Sequence, residues 1–325
     1  MTVLVTGASG HVGANLVREL IKEKRIVRAL IRKDRRGVEG LEVETVEGNI
    51  LDYPSLLQAV TGSEVVFHLA ASISIVGDKS GQVRLTNVEG TRNVVQACLE
   101  TGVRRLVHFS SIHAYSPFPL DQTVDVNSQP ADKRSPIYDQ TKAESNKIVL
   151  AAVKEGLDAV IIAPTGILGP NDFKLSRMGA VLIKLYKQKL FGLVDGGYNW
   201  VDVRDVVRGA LFAEKNAKSG SQYILSGEWC SIPKLAEHVQ EMFGVQAPRF
   251  VAPMWLGKLA APFAEFYSII AKKEPHFTPE ALVTLQSHCL ICRKKAEEEL
   301  GYRSRPLKQS IEETIQWYEK MGMLK

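Results

Sequence analysis

Short runs of aliphatic and β-branched residues alternate along the first half of the chain with longer stretches whose apolar positions recur at helical spacing. Val3–Thr6, Ile26–Ile31, Val43–Val46, Val65–Leu69, Leu106–Phe109 and Val160–Ala163 are runs rich in aliphatic and β-branched residues that read as strands buried on both faces. Between them, His11–Lys22, Ser55–Val60, Val83–Glu100 and Ile137–Val153 are predicted helices. Regular alternation of this sort predicts an α/β fold, a doubly wound parallel sheet with helices on both faces. After Pro164 the rhythm breaks into loops with Gly and Pro, helices over Met178–Gln188 and Val203–Lys215, and a helix-rich tail. The chain therefore divides into a sheet domain, residues 1–165, and a smaller, mostly helical C-terminal domain, residues 166–325, with about 198–226 returning to the first. No repeat or low-complexity tract interrupts it.

Composition narrows the class without choosing a function. With 325 residues, 45% hydrophobic and 24% charged, the chain has the make-up of a globular protein with a large core, which excludes disorder and fibre. The net charge of +5 is spread along the chain rather than gathered in one run, so it is no nucleic-acid footprint. The start, MTVLVTGASG, lacks the charged head and cleavage site of a secretory signal. The longest apolar approach to a membrane span, Met254 to Ile270, is broken by Lys258 and Glu265, so no spanning helix is expected. Four cysteines at irregular spacing form no disulfide framework, and a cytoplasmic protein is expected.

Candidate chemistry begins where the first strand ends. Thr6-Gly7-Ala8-Ser9-Gly10-His11-Val12-Gly13 follows that strand directly and opens the first helix. Gly7 permits a tight turn, Gly10 lets the backbone approach a pyrophosphate, and Gly13 lets helix and sheet pack closely, while the helix N-terminus offers N–H donors and a positive dipole end. The spacing is Gly-x-x-Gly-x-x-Gly, and a glycine triplet alone also fits a purely structural turn. Its place after the first strand favours a dinucleotide held in a Rossmann domain by Thr6, Gly7, Ser9, Gly10, His11, Val12 and Gly13. At the end of the second strand, Arg32 stands where an acid would hold a ribose 2′-hydroxyl, with Lys33 and Arg35 beside it, so NADP is favoured. Asp34 keeps NAD open as the alternative.

Tyr138 and Lys142 lie four residues apart on a predicted helix and so share one face. A nearby ammonium is expected to lower the phenol from about 10 towards the working pH, as a general acid requires. A surface pair would show the same spacing. Ser110 and Ser111 end the strand Leu106–Phe109, at the carboxyl edge where open α/β sheets bind ligands.

Taken in order, these residues resemble the extended short-chain dehydrogenases/reductases, also called the NAD-dependent epimerase/dehydratase family. The resemblance also runs through Phe67-His68-Leu69-Ala70-Ala71, Asn87-Val88-Glu89-Gly90-Thr91, Phe109-Ser110-Ser111, Pro164 to Pro170 and Trp200-Val201-Asp202-Val203-Arg204-Asp205-Val206, and so spans most of the chain. It implies that Tyr138 is the catalytic acid/base and that Lys142 holds the nicotinamide ribose and tunes that Tyr. It further implies that Ser111 orients the reacting oxygen and that Asn87 stands near the proton relay. Asn49 and Ile50 resemble the adenine-contacting pair, where Asp is commoner than Asn. Leu69, Ala70, Ala71, Pro164, Gly166 and Ile167 are implied to line the cofactor, and Ser72, Ser111, His113, Tyr115, Thr165 and Trp200 the substrate.

Departures from the pattern point to a branch. Tyr198 and Gly166 stand where nucleotide-sugar enzymes commonly carry Arg and Asn, and Ile112-His113 where dehydratases carry Asp-Glu. Pro164-Thr165-Gly166-Ile167-Leu168-Gly169-Pro170 and the Arg32 loop are instead similar to the dihydroflavonol 4-reductase branch, which reduces ketones and aldehydes with NADPH. The expectation is an NADP-dependent reductase of a small or medium apolar carbonyl compound, with Phe173, Trp200 and an aromatic helix over Pro253–Lys272 (Trp255, Phe263, Phe266, Tyr267) around the substrate. Ala163, Tyr198 and Gly166 bring no charge, whereas Arg177 and Lys174 are within reach of a phosphate, which keeps a nucleotide-sugar epimerase/dehydratase as the alternative. A non-catalytic NAD(P)-binding sensor is a third reading, against which stands the intact Tyr138/Lys142 pair. His288-Cys289-x-x-Cys292 has no second ligand pair, so no metal is expected. His68 is expected to pack beside the cofactor site rather than act. A monomer or a homodimer is expected, since this family often dimerises through the helices predicted at Val83–Glu100 and Ile137–Val153.

Overall fold

A computed structural model describes residues 1–261 and 278–325. Seven strands form one parallel sheet: β1 (Thr2–Thr6), β2 (Ile26–Ile31), β3 (Glu44–Glu47), β4 (Val65–His68), β5 (Arg105–Phe109), β6 (Ala159–Pro164) and β10 (Gln222–Leu225). Their order across the sheet is β10-β6-β5-β4-β1-β2-β3, so the winding reverses between β1 and β4. That reversal opens the crevice in which such sheets bind ligands. β1, β4 and β5 carry apolar side chains on both faces because helices cover both: Val3, Leu4, Val5, Val65, Val66 and Phe67 are wholly buried. Each such side chain contributes about 1.5–3 kcal/mol by leaving water. β3 differs from the expectation of a strand buried on both faces. It lies one residue later than predicted, and its position at the sheet edge leaves Glu44, Thr45 and Glu47 exposed.

Helix α1 (His11–Lys22) lies on one face of the sheet with α7 (Val203–Asn216). α2 (Tyr53–Val60), α4 (Gly90–Thr101) and α5 (Ile137–Lys154) belong to the core of the other. The helix predicted over Val83–Glu100 is instead composite. A short α3 (Gln82–Arg84) runs through a π-helical turn, Leu85–Glu89, into α4. Such a turn inserts one residue into the ladder and often marks a functional site.

The smaller lobe is built on a three-stranded sheet, β11 (Glu228–Ser231), β9 (Gly197–Asp202) and β7 (Gly166–Leu168), and on the pair β12 (Phe250–Ala252) with β8 (Gly192–Val194). Helices α6 (Arg177–Tyr186), α8 (Ile232–Phe243) and Leu307–Lys320 pack over them around Leu182, Leu235, Ile311 and Ile315. Within 198–226, β9 stays in the small sheet, while α7 packs on α1 and β10 closes the edge of the large one. Among the described residues, no helix is long and apolar enough to cross a membrane.

Candidate active site

The turn after β1 is shaped by what its glycines leave out. Gly7 has φ +71°, and a Cβ there would lie 2.8 Å from the Ala70 nitrogen, so the turn can touch the end of β4 only without a side chain. A Cβ on Gly13 would stand 2.2 Å from the Gly7 oxygen. Gly10 donates its N–H to Gly7 O at 3.0 Å and caps the 12-residue helix α1, whose first turn carries no acid. A backbone pressed this close, ending on a helix N-terminus, fits a pyrophosphate. Thr6 departs from expectation. It is fully buried and its Oγ1 accepts the N–H groups of Leu69 and Ala70, both at 3.2 Å, so it ties β1 to β4 and does not face the cleft. His11 does line the cleft, with Nε2 3.1 Å from both Gly169 O and Pro170 O, which pins the loop after β7 over the helix.

Beyond the turn, a cleft of about 870 Å³ is lined by Ser9, Gly10, Arg32, Lys33, Asn49 and Ile50. Arg35 is exposed and is not part of it, because the chain has already turned away. Lys174, which was expected only as a reach towards a substrate phosphate, enters this cleft from the other lobe. Asp34, Glu47 and Asp52 also line it, but Asp34 accepts Arg36 Nε at 2.9 Å and Nη2 at 2.8 Å. The Arg36 hydrogen bonds hold the Asp34 carboxyl below its ordinary range.

On the other side of the turn, a mostly apolar cavity of about 470 Å³ reaches from Gly7, Gly10, Val12 and Leu69 to Ser111, Tyr138 and Lys142. β5 ends at Phe109, and the next residues turn sharply because Ser111 Oγ accepts the His113 N–H at 3.2 Å and caps the short helix Ile112–Ala114. Lys142 is buried and donates from Nζ to Phe109 O at 2.8 Å, which joins α5 to the end of β5. Burial lowers its ammonium from 10.5 to about 8. Tyr138 does not follow the expected lowering. Burial dominates and pushes its phenol above its ordinary value of 10, with a hydrogen bond to Ser111 opposing and the Asp139 carboxylate reinforcing. At neutral pH it therefore holds its proton.

Asn87, in the π-helical turn, is buried and does not face the cavity. Its Oδ1 accepts the Ser72 N–H at 2.7 Å, and Nδ2 donates to Ser72 O at 2.9 Å and Thr141 Oγ1 at 3.0 Å. It fixes the segment after β4 against α5. Ser72 is accordingly held by its backbone and does not line the cavity, whereas Ile73 and Ile75 do. Three further residues expected around the substrate do not line the cavity. Trp200 is 1% exposed in the small lobe's core, with its indole N–H donating to Cys230 O at 2.9 Å. Tyr115 is buried among Ile112, Val124 and Ala163. Phe173 packs on Trp317 and under the Arg18 guanidinium. Trp255 is 63% exposed and outside the cavity, and residues 262–272 of the predicted aromatic helix, with Phe263, Phe266 and Tyr267, lie outside the described residues.

The cavity wall also includes Pro164, Thr165, Gly166, Ile167, Tyr198 and His113. Met178, Asn199, Glu280, Thr284, Ser287, His288 and Ile291 complete it. Nothing in the sequence pattern marked these seven as neighbours of Tyr138. His68 packs under the site, bonded to Thr6 at 2.9 Å and Thr91 at 3.1 Å, and burial keeps it neutral by lowering it to about 3.

The NAD dependent epimerase/dehydratase family matches residues 3–225. Sterol demethylase protein B of Methylococcus capsulatus is 32% identical over 330 residues, the whole of both chains. A Synechocystis protein provisionally named dihydroflavonol 4-reductase is 30% identical, with 99% of this chain and 95% of that one covered. The crystal structure of gox2253 superposes with a TM-score of 0.87 at 29% identity, covering 100% of this chain and 99% of the other. The chain therefore belongs to the NAD dependent epimerase/dehydratase family, the extended short-chain dehydrogenases/reductases, and is an NAD(P)-dependent oxidoreductase of that family.

Proposed function

We propose that the protein reduces an apolar ketone or aldehyde with NADPH. The observation that carries this reading is the cavity itself, apolar over most of its wall and polar where Ser111 and Tyr138 meet. The glycine turn and the α1 N-terminus would hold the pyrophosphate, and Arg32, Lys33 and Lys174 a 2′-phosphate. When bound, the nicotinamide supplies the hydride. Ser111 and Tyr138 share the substrate oxygen between two hydroxyls, which orients the carbonyl and polarises it. Tyr138 then gives its proton to that oxygen, and the Lys142 ammonium on the same helix face steadies the phenolate. The ribose would be held by Lys142.

One feature favours a second reading: Arg177 lines the same cavity and could meet a diphosphate. Calorimetry with UDP- and dTDP-sugars beside a panel of aldehydes and ketones decides between them. NADPH oxidation with apolar carbonyls is expected. Micromolar sugar-nucleotide affinity without carbonyl reduction would overturn the proposal, and NADPH left unoxidised with every carbonyl would favour a sensor.

Lys142 also sets an expected pH dependence. Its folded value lies below the ordinary 10.5, so it is charged below about pH 8 and neutral above, where a solvated lysine would still be charged. NADPH affinity is expected to weaken as pH rises through about 8 and to lose that limb in Lys142→Met. Fluorescence titrations between pH 6.5 and 9.5 check it, and a flat wild-type profile would contradict it.

A further inference from the structure

We infer that Lys174 ties substrate affinity to the cofactor's 2′-phosphate: one short segment of the small lobe carries Lys174 into the cofactor cleft and Arg177 and Met178 into the substrate cavity. The inference rests on the reading of the protein as an NADPH-dependent reductase and adds a coupling between the two halves of its site.

The segment after β7 is fastened to the helix whose N-terminus faces the pyrophosphate. His11 Nε2 holds Gly169 O and Pro170 O, while Asn15 donates from Nδ2 to Pro170 O at 2.9 Å and accepts Asn171 Nδ2 on Oδ1 at 2.9 Å. Phe173 lies under the Arg18 guanidinium, with 4.9 Å from its carbon to the ring centroid. All three anchors belong to α1.

Residues 172–179 form one closed unit. The buried Asp172 carboxylate accepts the Ser176 N–H at 2.8 Å and 2.9 Å, the Ser176 hydroxyl at 2.7 Å and the Tyr318 hydroxyl at 2.8 Å. Ser176 Oγ in turn accepts the Gly179 N–H at 3.0 Å and caps α6. A Cβ on Gly179 would collide with Tyr318 and Asp172, so the start of α6 sits against them only without a side chain. Lys174 stands inside this unit, and Arg177 and Met178 stand on the helical turn that it caps. What shifts Lys174 shifts them too, because close-packed, hydrogen-bonded units move as wholes.

Lys174 lacks a partner in the cleft. It is exposed, lines the cleft with Arg32 and Lys33, and among the described residues its ammonium makes no ion pair. The Asp34 carboxylate, which feels its charge, is already held by Arg36. Asn171 and Leu175, on either side of it, hold φ of +62° and +50°, the left-handed region that residues with side chains adopt only when their surroundings hold them there. They are the points at which the segment can relax.

A 2′-phosphate supplies the missing partner, whereas NADH offers a neutral hydroxyl at the same place. With NADPH the segment is held from α1, from Tyr318 and from the cofactor, so Arg177 and Met178 are set before the substrate arrives. With NADH the third hold is missing. Linkage makes the effect reciprocal, so bound substrate should tighten NADPH more than NADH.

Backbone amide hydrogen exchange, read by mass spectrometry over peptides within 171–186, tests the coupling at saturating NADP⁺ and at saturating NAD⁺. NADP⁺ is expected to slow exchange there at least about five-fold relative to NAD⁺. Lys174→Met should abolish that difference, Lys174→Arg should keep it, and so should Lys33→Met at saturating NADP⁺. Helix α4, on the opposite face of the large sheet, should exchange alike throughout and so report an intact fold. On the best carbonyl of the panel, KM with NADH is expected at least about five-fold above KM with NADPH, and the two should converge in Lys174→Met. A lysine that only held the loop would move both KM values together. Tighter binding of NADP⁺ than of NAD⁺ with equal exchange overturns the coupling alone, as does a difference that survives Lys174→Met. Equal affinities for the two cofactors strike the NADPH reading, and the coupling falls with it. Absence of carbonyl turnover strikes the reductase reading instead, with the exchange result still judging the coupling.

Discussion

Tyr138→Phe is expected to lower kcat by about 10²–10⁴-fold, the usual worth of a positioned general acid, while NADPH affinity changes by less than about two-fold. The substitution removes one hydroxyl and keeps the ring that packs against His113. The phenol is held protonated by burial and faces Ser111 across a hydrogen bond, so it is the group in the cavity able to give a proton at neutral pH next to a second hydroxyl. Binding should survive because the glycine turn and Arg32 lie on the other side of the site. Steady-state rates on the best carbonyl of the panel, with NADPH titrations on the same preparation, check both halves. Near-normal turnover would assign the acid elsewhere and contradict the mechanism.

Arg32→Asp is expected to exchange the cofactor preference, from NADPH over NADH to the reverse. Charge-assisted hydrogen bonds to a 2′-phosphate contribute about 1.5–3 kcal/mol, roughly 10- to 150-fold in affinity. Asp34 also lines the cleft, where its pairing with Arg36 offsets its charge. Lys33 and Lys174 remain after the substitution, which should leave NADPH measurably bound. Calorimetric titration with both cofactors gives the ratio. Equal affinities in the unaltered protein would remove the basis for the claim.

The elements that were legible in the sequence are those whose side chains meet one uniform environment. Strands between two helical layers are mostly apolar, so Ile26–Ile31, interrupted only by Arg28, is visible at its observed bounds, and α1 is equally clear from its amphipathic spacing. The glycine turn is legible because only glycine survives where a Cβ would meet backbone at 2.2–2.8 Å. Tyr138, Lys142 and Ser111 are legible because one helix face and one strand end place them by local geometry. The edge strand β3 was displaced because half its environment is water, which weakens the pattern that marks it.

What depended on tertiary structure is the wall opposite Tyr138 and the state of its groups. An aromatic residue reads the same whether it lines a cavity or fills a core. Only the pairing of β9 with β7 and β11 buries Trp200, and only the packing of the tail sends Phe173 against Trp317. The residues that do form the wall, Ile73, Met178, Thr284 and His288, are joined by contacts between segments up to some two hundred residues apart, as when Thr278 donates to Ile75 O at 2.8 Å. Local periodicity carries no signal across such distances. The charge state of Tyr138 was likewise undecided, because the spacing to Lys142 states proximity while burial, a property of the whole fold, outweighs it and keeps the proton on the phenol.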